Sequence, residues 1–333
     1  MILRHRADVR TLLWAFGLMP GLVIVQYLFP RSAGWLLPFS MYASYSAAVI
    51  AHNHNHAGTF TNKTVNDVFS LWISVFYGFP TYGWIPTHNL NHHRYVGRPG
   101  DATVWVDRGP DNPWVAFTHF FRSTSTQGPL LTAYRHGLYA RSKAAWLHVM
   151  GQYVVVYGTH LALAAFAITR FGAARGTLVY LSSLGIPIFG ALWGVMFTNW
   201  VQHIGCDVNS EWNHSRNFVS SWMNYLVFDN GFHTVHHRRA SLHWSRAREE
   251  HAKIADRIDP RLNDDSIFGY ALRTYVLDPF RELRRSSTRA RAQSTAASAA
   301  VVSPTTGAMW PPGVRKISIG PPQRRTKASP QIG

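Results

Sequence analysis

Nine histidines stand in three tight groups, each close behind a long apolar run: His52, His54 and His56; His88, His92 and His93; His233, His236 and His237. With 18 histidines in 333 residues, three clusters at such spacings point to a shared task. Imidazole is the usual nitrogen ligand of iron, copper, zinc and nickel. A chain that carries so many at the ends of membrane segments is expected to build a multinuclear metal centre at the bilayer surface.

The apolar runs set the fold class. Four segments reach the length a bilayer crossing needs: Thr11–Pro30, Trp35–Ala51, Trp146–Thr169 and Thr177–Trp200, none containing Lys, Arg, Asp or Glu. Val68–Pro86 has two prolines and two glycines and reads as an interfacial or re-entrant element. Mean hydropathy is −0.09 only because polar stretches dilute these runs. The expectation is an all-α membrane protein: about four transmembrane helices, an interfacial helix and a cytosolic cap carrying the histidines. Residues 1–285 form the membrane domain. From Ser286 the chain turns Ser/Thr/Ala/Pro-rich, and no acidic residue follows Glu282, so 286–333 read as a disordered basic tail. The first run looks too long for a signal h-region and has no small-residue cleavage site, so it is expected to stay as a membrane helix.

Four crossings put every histidine group on one side, as a single centre requires. Near the spans, Arg4, Arg6, Arg10, Arg135, Arg141 and Lys143 lie on that side, against Arg31, Arg170 and Arg175 opposite. The positive-inside rule makes the histidine side, with both termini, cytoplasmic. The formal charge of +17 does not indicate nucleic acid, because the arginines flank spans and fill the tail, with no recognition stripe. The single cysteine, Cys206, excludes internal disulfides and any iron–sulfur cluster held by this chain alone.

Residues four apart share a helix face. His52 therefore pairs with His56, His88 with His92, and His233 with both His236 and His237, while His93 is turned about 100° from His92. Asn199 and His203 form a further such pair at the end of the fourth run. Eight or nine imidazoles exceed one tetrahedral zinc and suit two ions with positions open to oxygen. The candidates to hold ligand imidazoles by hydrogen bonds are His54, Asp101, His214, Asp229 and His243.

The order H-x3-H, H-x3-H-H, N-x3-H, H-x2-H-H between membrane spans resembles the integral-membrane fatty acid desaturases and their relatives, the alkane hydroxylases. The likeness runs from Leu12 to Trp244 and includes Arg94 with Pro99-Gly100-Asp101 behind the second group, and His243-Trp244 behind the third. It implies a cytosolic di-iron centre, two Fe ions with O2 as co-substrate, in a bacterial-type inner-membrane oxidoreductase. By position the implied ligands are His52, His56, His88, His92, His93, His203, His233, His236 and His237, with Asn199 in an outer role. No catalytic residue beyond the metal centre is implied. Electrons would come from a separate carrier, a ferredoxin, rubredoxin or cytochrome b5-like protein with its reductase, and the substrate would be a fatty acyl or lipid chain. The departures are Asn53 where an acidic residue is common, the extra His54, and three residues before the His92-His93 pair, a form also found among hydroxylases. A hydroxylase on the same core is thus the near alternative; a membrane metal transporter or metal-binding protein is the distant one.

Overall fold

The computed structural model describes residues 2–103 and 112–281, which belong to one packed unit. It is helical throughout, with one parallel pairing of two-residue strands, β1 (Asn217–Phe218) and β2 (Asn263–Asp264), among the described residues. The proposed tail lies outside them.

Two helical hairpins organise the molecule. Helix α1 (Asp8–Leu28) stops at Pro30 and returns as α2 (Leu37–His56). Later, α6 (Lys143–Phe171) turns at Gly172 into α7 (Ala173–His203). Between them lie α3 (Lys63–Tyr77), α4 (Ile85–His92) and α5 (Pro113–Arg141). Side chains of Asn62, Asn112 and Ser142 accept hydrogen bonds from backbone N–H groups in the first turns of α3, α5 and α6, satisfying donors the helix itself leaves open. After α7 come the short helices α8 (Ser221–Leu226) and α9 (His233–Arg238).

Three helices are long and apolar enough to cross a membrane: α1, α6 and α7. The expected fourth, α2, forms but does not meet that standard. Its 20 residues include Ser40, Ser44, Ser46, Asn53 and three histidines. The reason is its position, for α2 is the central helix, and its buried face is small: Ala43, Ala47, Ala48 and Ala51. Helix α7 meets it closely at Gly190 and Gly194. A Cβ at Gly190 would come 2.7 Å from Met41 Cε, and one at Gly194 would come 3.1 Å from Tyr45. Small residues at four-residue spacing let helices approach in lipid, so this contact, not an apolar surface, holds α2. Outward-facing residues such as Phe16, Ile24, Leu147, Leu161, Phe166 and Phe189 are exposed, as a lipid-facing belt would be.

Helix α3 occupies the expected interfacial element. Its 15 residues extend about 22 Å, short of the roughly 30 Å hydrocarbon core. Helix α5 was not anticipated. Hydroxyl residues Thr118 and Ser123–Thr126 interrupt its apolar pattern and Pro129 lies within it, so the sequence reads as a break where the chain is helical.

Candidate metal centre

Four helix ends meet at one side of this bundle. Helix α2 contributes His52 and His56, α4 contributes His88 and His92 with His93 directly after, α7 ends on His203, and α9 carries His233, His236 and His237. The turn entering α9 is fixed by Gly231. A Cβ there would meet the Phe218 carbonyl at 2.3 Å, and the Gly231 carbonyl accepts from Phe218 N–H at 2.9 Å. Only glycine lets the last histidine element dock this closely on β1.

The imidazoles divide into two groups of four: His52, His56, His88 and His236; and His92, His203, His233 and His237. In the first, Nε2 of His52 lies 2.9 Å from that of His88 and 3.2 Å from that of His236. His93 joins it, its Nε2 standing 3.1 Å from His88 and 3.2 Å from His56. In the second, His233 and His203 are 2.9 Å apart, and His237 is 3.1 Å from each. Two nitrogens binding one ion at about 2.1 Å and about 90–110° apart stand roughly 3.0–3.4 Å from each other. The observed edges match that figure.

Protonation makes the case sharper. His92 donates from Nδ1 to Asp101 Oδ2 at 2.7 Å, His52 from Nδ1 to Asn53 Oδ1 at 3.1 Å, and His203 from Nδ1 to the His214 carbonyl at 3.2 Å. In a neutral ring the other nitrogen then carries a lone pair, so the Nε2 atoms of His52, His92 and His203 are bare. Buried His92 Nε2 has no hydrogen-bond partner. Converging lone pairs without a proton between them repel unless a cation sits among them. The donor set therefore fits two metal ions, one per group.

Burial first, then neighbouring imidazoles, hold His88, His233, His236 and His237 well below the ordinary histidine range, and His93 down to about 3. These rings are neutral at physiological pH, the form a metal would require of them. Burial alone would raise the Asp101 carboxyl, but His92 and the N–H groups of Gly97 and Thr103 bring it below the usual carboxylate range.

The spacing expectations need one correction. His92, not His93, leaves the face of His88 and serves the second group. The cause is local: α4 is wound as a π-helix, whose i to i+5 bonding gives a wider turn than the four-residue rule assumes, and His93 comes within 3.1 Å of His88.

The candidates for holding imidazoles also divide. Asp101 grips His92, and Asn91 anchors the loop bearing it by donating to the Gly100 carbonyl and accepting from Ala102 N–H. His214 acts through its backbone carbonyl, not its ring. Asp229 does not hold an imidazole; its carboxylate faces Arg248 at 3.5 Å. His54 lies in neither imidazole group, bonded instead to Thr59 Oγ1 and the Asn66 carbonyl. His243 is remote too: it donates to buried Asp8 at 3.0 Å, which also accepts from Trp244 and Thr11. Asn199 is in neither group and donates to Thr103 Oγ1 at 3.1 Å. Sequence reasoning missed Thr103, whose hydroxyl lies 2.9 Å from His92 Nδ1 and 2.8 Å from Asp101; its place two residues after Asp101 was the available signal.

An apolar cavity of about 150 Å³, lined by Tyr77, Phe79, Phe120, Leu131 and Leu192, lies beside the centre. It shares Ala48, Trp84, Thr87, Gln127, Val195 and Met196 with a smaller one of about 40 Å³ that reaches His52, His88 and His233. An apolar chain entering the larger cavity would thus be led to the imidazoles.

A family model described as fatty acid desaturase matches residues 28–265, which contain all nine imidazoles of the two groups. No curated protein sequence matches the chain.

Proposed function

This chain belongs to the fatty acid desaturase family, and on that premise we propose that it is a membrane desaturase that introduces a double bond into a fatty acyl chain. The observation that carries the reading is the convergence of imidazole Nε2 atoms, 2.9–3.3 Å apart, at the end of an apolar cavity. The nine imidazoles would hold two irons. When bound, these supply the activation of dioxygen and the removal of hydrogen from unactivated methylenes, chemistry that no side chain can perform. Overall, two hydrogens leave the chain, two electrons and two protons enter, and O2 departs as two waters.

The residues of this chain do the remaining work. Trp84, its ring 5.2 Å from His52 and 5.3 Å from His88, and Val195 confine an acyl chain at the mouth and exclude water. Asp101, Thr103, Asn53 and the His214 carbonyl fix imidazole orientation and tautomer. Four crossings, with α2 as the fourth, would put the centre on the cytoplasmic side of a bacterial inner membrane. Electrons would arrive from a separate acidic carrier, for which exposed Arg94 and Arg98, one and five residues beyond His93 in sequence, offer complementary charge.

The test is lipid profiling by mass spectrometry of a host expressing the chain beside its His92→Ala form, with metal analysis of the purified proteins. Products about 2 Da lighter support desaturation; products about 16 Da heavier assign hydroxylation instead. Unchanged lipids with no bound iron would refute the reading, and metal uptake across vesicles would favour a transporter.

A further inference from the structure

The His243-Trp244 pair behind the third histidine group belongs to neither imidazole group, yet it is locked to the start of α1. His243 and Trp244 both donate to the Asp8 carboxylate, at 3.0 and 3.2 Å, and Thr11 adds a third bond at 3.0 Å. The His243 and Asp8 side chains are only 3% and 2% exposed. Three donors satisfy the buried carboxylate, and they hold Trp244 against the residue two positions further along α1, Arg10.

The Arg10 guanidinium is surrounded by rings. Its Cζ lies 4.6 Å from the centre of the Tyr225 ring, 4.7 Å from that of Phe228 and 4.5 Å from that of Trp244. Its Nε and Nη2 are buried and make no hydrogen bond. A cation withdrawn from water is costly unless something replaces the lost hydration. Three aromatic faces do so here, and the Asp229 carboxylate adds an opposite charge nearby.

Phe228 is the ring that connects this cage to the imidazoles. It is fully buried, edge-on to Trp14 at 5.7 Å and to Trp244 at 5.5 Å. Phe228 and Asp229 have φ of 51° and 54°, a region that non-glycine residues keep only when their surroundings hold them there. Helices α1 and α2 grip the same turn, for Tyr42 donates to the Leu226 carbonyl and accepts from Trp14.

The held turn presents the Phe228 carbonyl to Asn53, which donates to it from Nδ2 at 3.3 Å. A carbonyl can only accept, so the amide nitrogen of Asn53 must face it. The amide oxygen is left for the Nδ1–H of His52 at 3.1 Å. His52 is thereby kept in the tautomer whose bare Nε2 faces His88 and His236.

We propose that Arg10 is a positioning residue for the first imidazole group. Seated against Trp244, it pins the Phe228 ring; the Phe228 carbonyl orients Asn53, and Asn53 orients His52. The inference rests on the two-metal reading of the imidazole groups and not on which reaction they serve. It gives the cluster of Asp8, His243 and Trp244 a task at a centre that none of them touches.

The test is a metal titration of the purified, detergent-solubilised full chain, stripped by a chelator and reloaded with Co(II), whose visible spectrum reports ligand geometry. His236→Ala and His92→Ala, each lacking a ligand of one group, assign the bands. Arg10→Met should weaken the first-group ion by up to about 10-fold, the lower end for loss of an imidazole's outer partner. It should alter that ion's spectrum and leave the second group unchanged. Arg10→Lys, which keeps the charge without the flat guanidinium, should recover part of the loss. In an Asn53→Ala background, Arg10→Met should weaken binding no further, since its route to His52 is already cut. A general loosening of the fold would instead weaken both groups and add to the Asn53→Ala effect. If Arg10→Met does not fold, Trp244→Phe, which removes the bond to Asp8 and reshapes one face of the cage, takes its place in the same cycle. Equal weakening of both groups, an additive double variant or an unchanged first group overturns the proposal. Failure of the wild type to take up two ions sinks the two-metal reading itself, an outcome distinct from each of these.

Discussion

The two imidazole groups are built from similar ligands but held differently. In the second, His92 is clamped by a buried carboxylate and a hydroxyl, and His203 by a backbone carbonyl. In the first, the side-chain anchor among the described residues is the neutral amide of Asn53 on His52. A carboxylate partner raises the basicity of its imidazole and fixes the ring, whereas an amide mainly orients it. The second ion should therefore be the tightly held one and the first the more exchangeable, although the sequence motifs look alike.

The largest blow to this contrast comes from removing a ligand. His92→Ala and His236→Ala should each abolish turnover, and metal analysis should show loss of one ion in each. If both lost both ions equally, the two groups would be one cooperative unit. Asp101→Asn comes next, with an expected 10- to 100-fold loss of metal affinity or activity, confined to the second ion in a metal titration. Asn53→Ala should cost less, about 10-fold or below, and act on the first. Subtlest is the wild type's response to a chelator: iron should leave in two phases, with Asn53→Ala hastening the early phase and Asp101→Asn the late one. A single phase in all three proteins would erase the distinction.

Much of this site was legible because its ligands lie on short helical stretches, where spacing translates into shared faces. His52 with His56, and His233 with His237, follow from that rule alone. The exchange of roles between His92 and His93 did not, since the rule assumes α-helical winding and α4 winds more widely. His214 was chosen for its ring and acts through a carbonyl, which no side-chain pattern encodes. Asp229 was a candidate to hold an imidazole, yet it faces a cation from a separate helix, Ala247–Ala252. The bond from His243 to Asp8 spans 235 positions, beyond any local signal. In the fold, apolar runs exposed to lipid were readable. The central helix was harder to grade, because burial against other helices relaxes the demand for hydrophobicity, and α5 hid behind hydroxyls and a proline.

Neither imidazole group can be completed early in biosynthesis. His236 closes the first group and His233 with His237 the second, and α9 emerges from the ribosome after every membrane helix. At about 5–20 residues per second, the stretch from His56 to His237 takes about 10–40 s to make. Metal loading at these groups would then be a late event, completed by a short segment that docks on helices made before it.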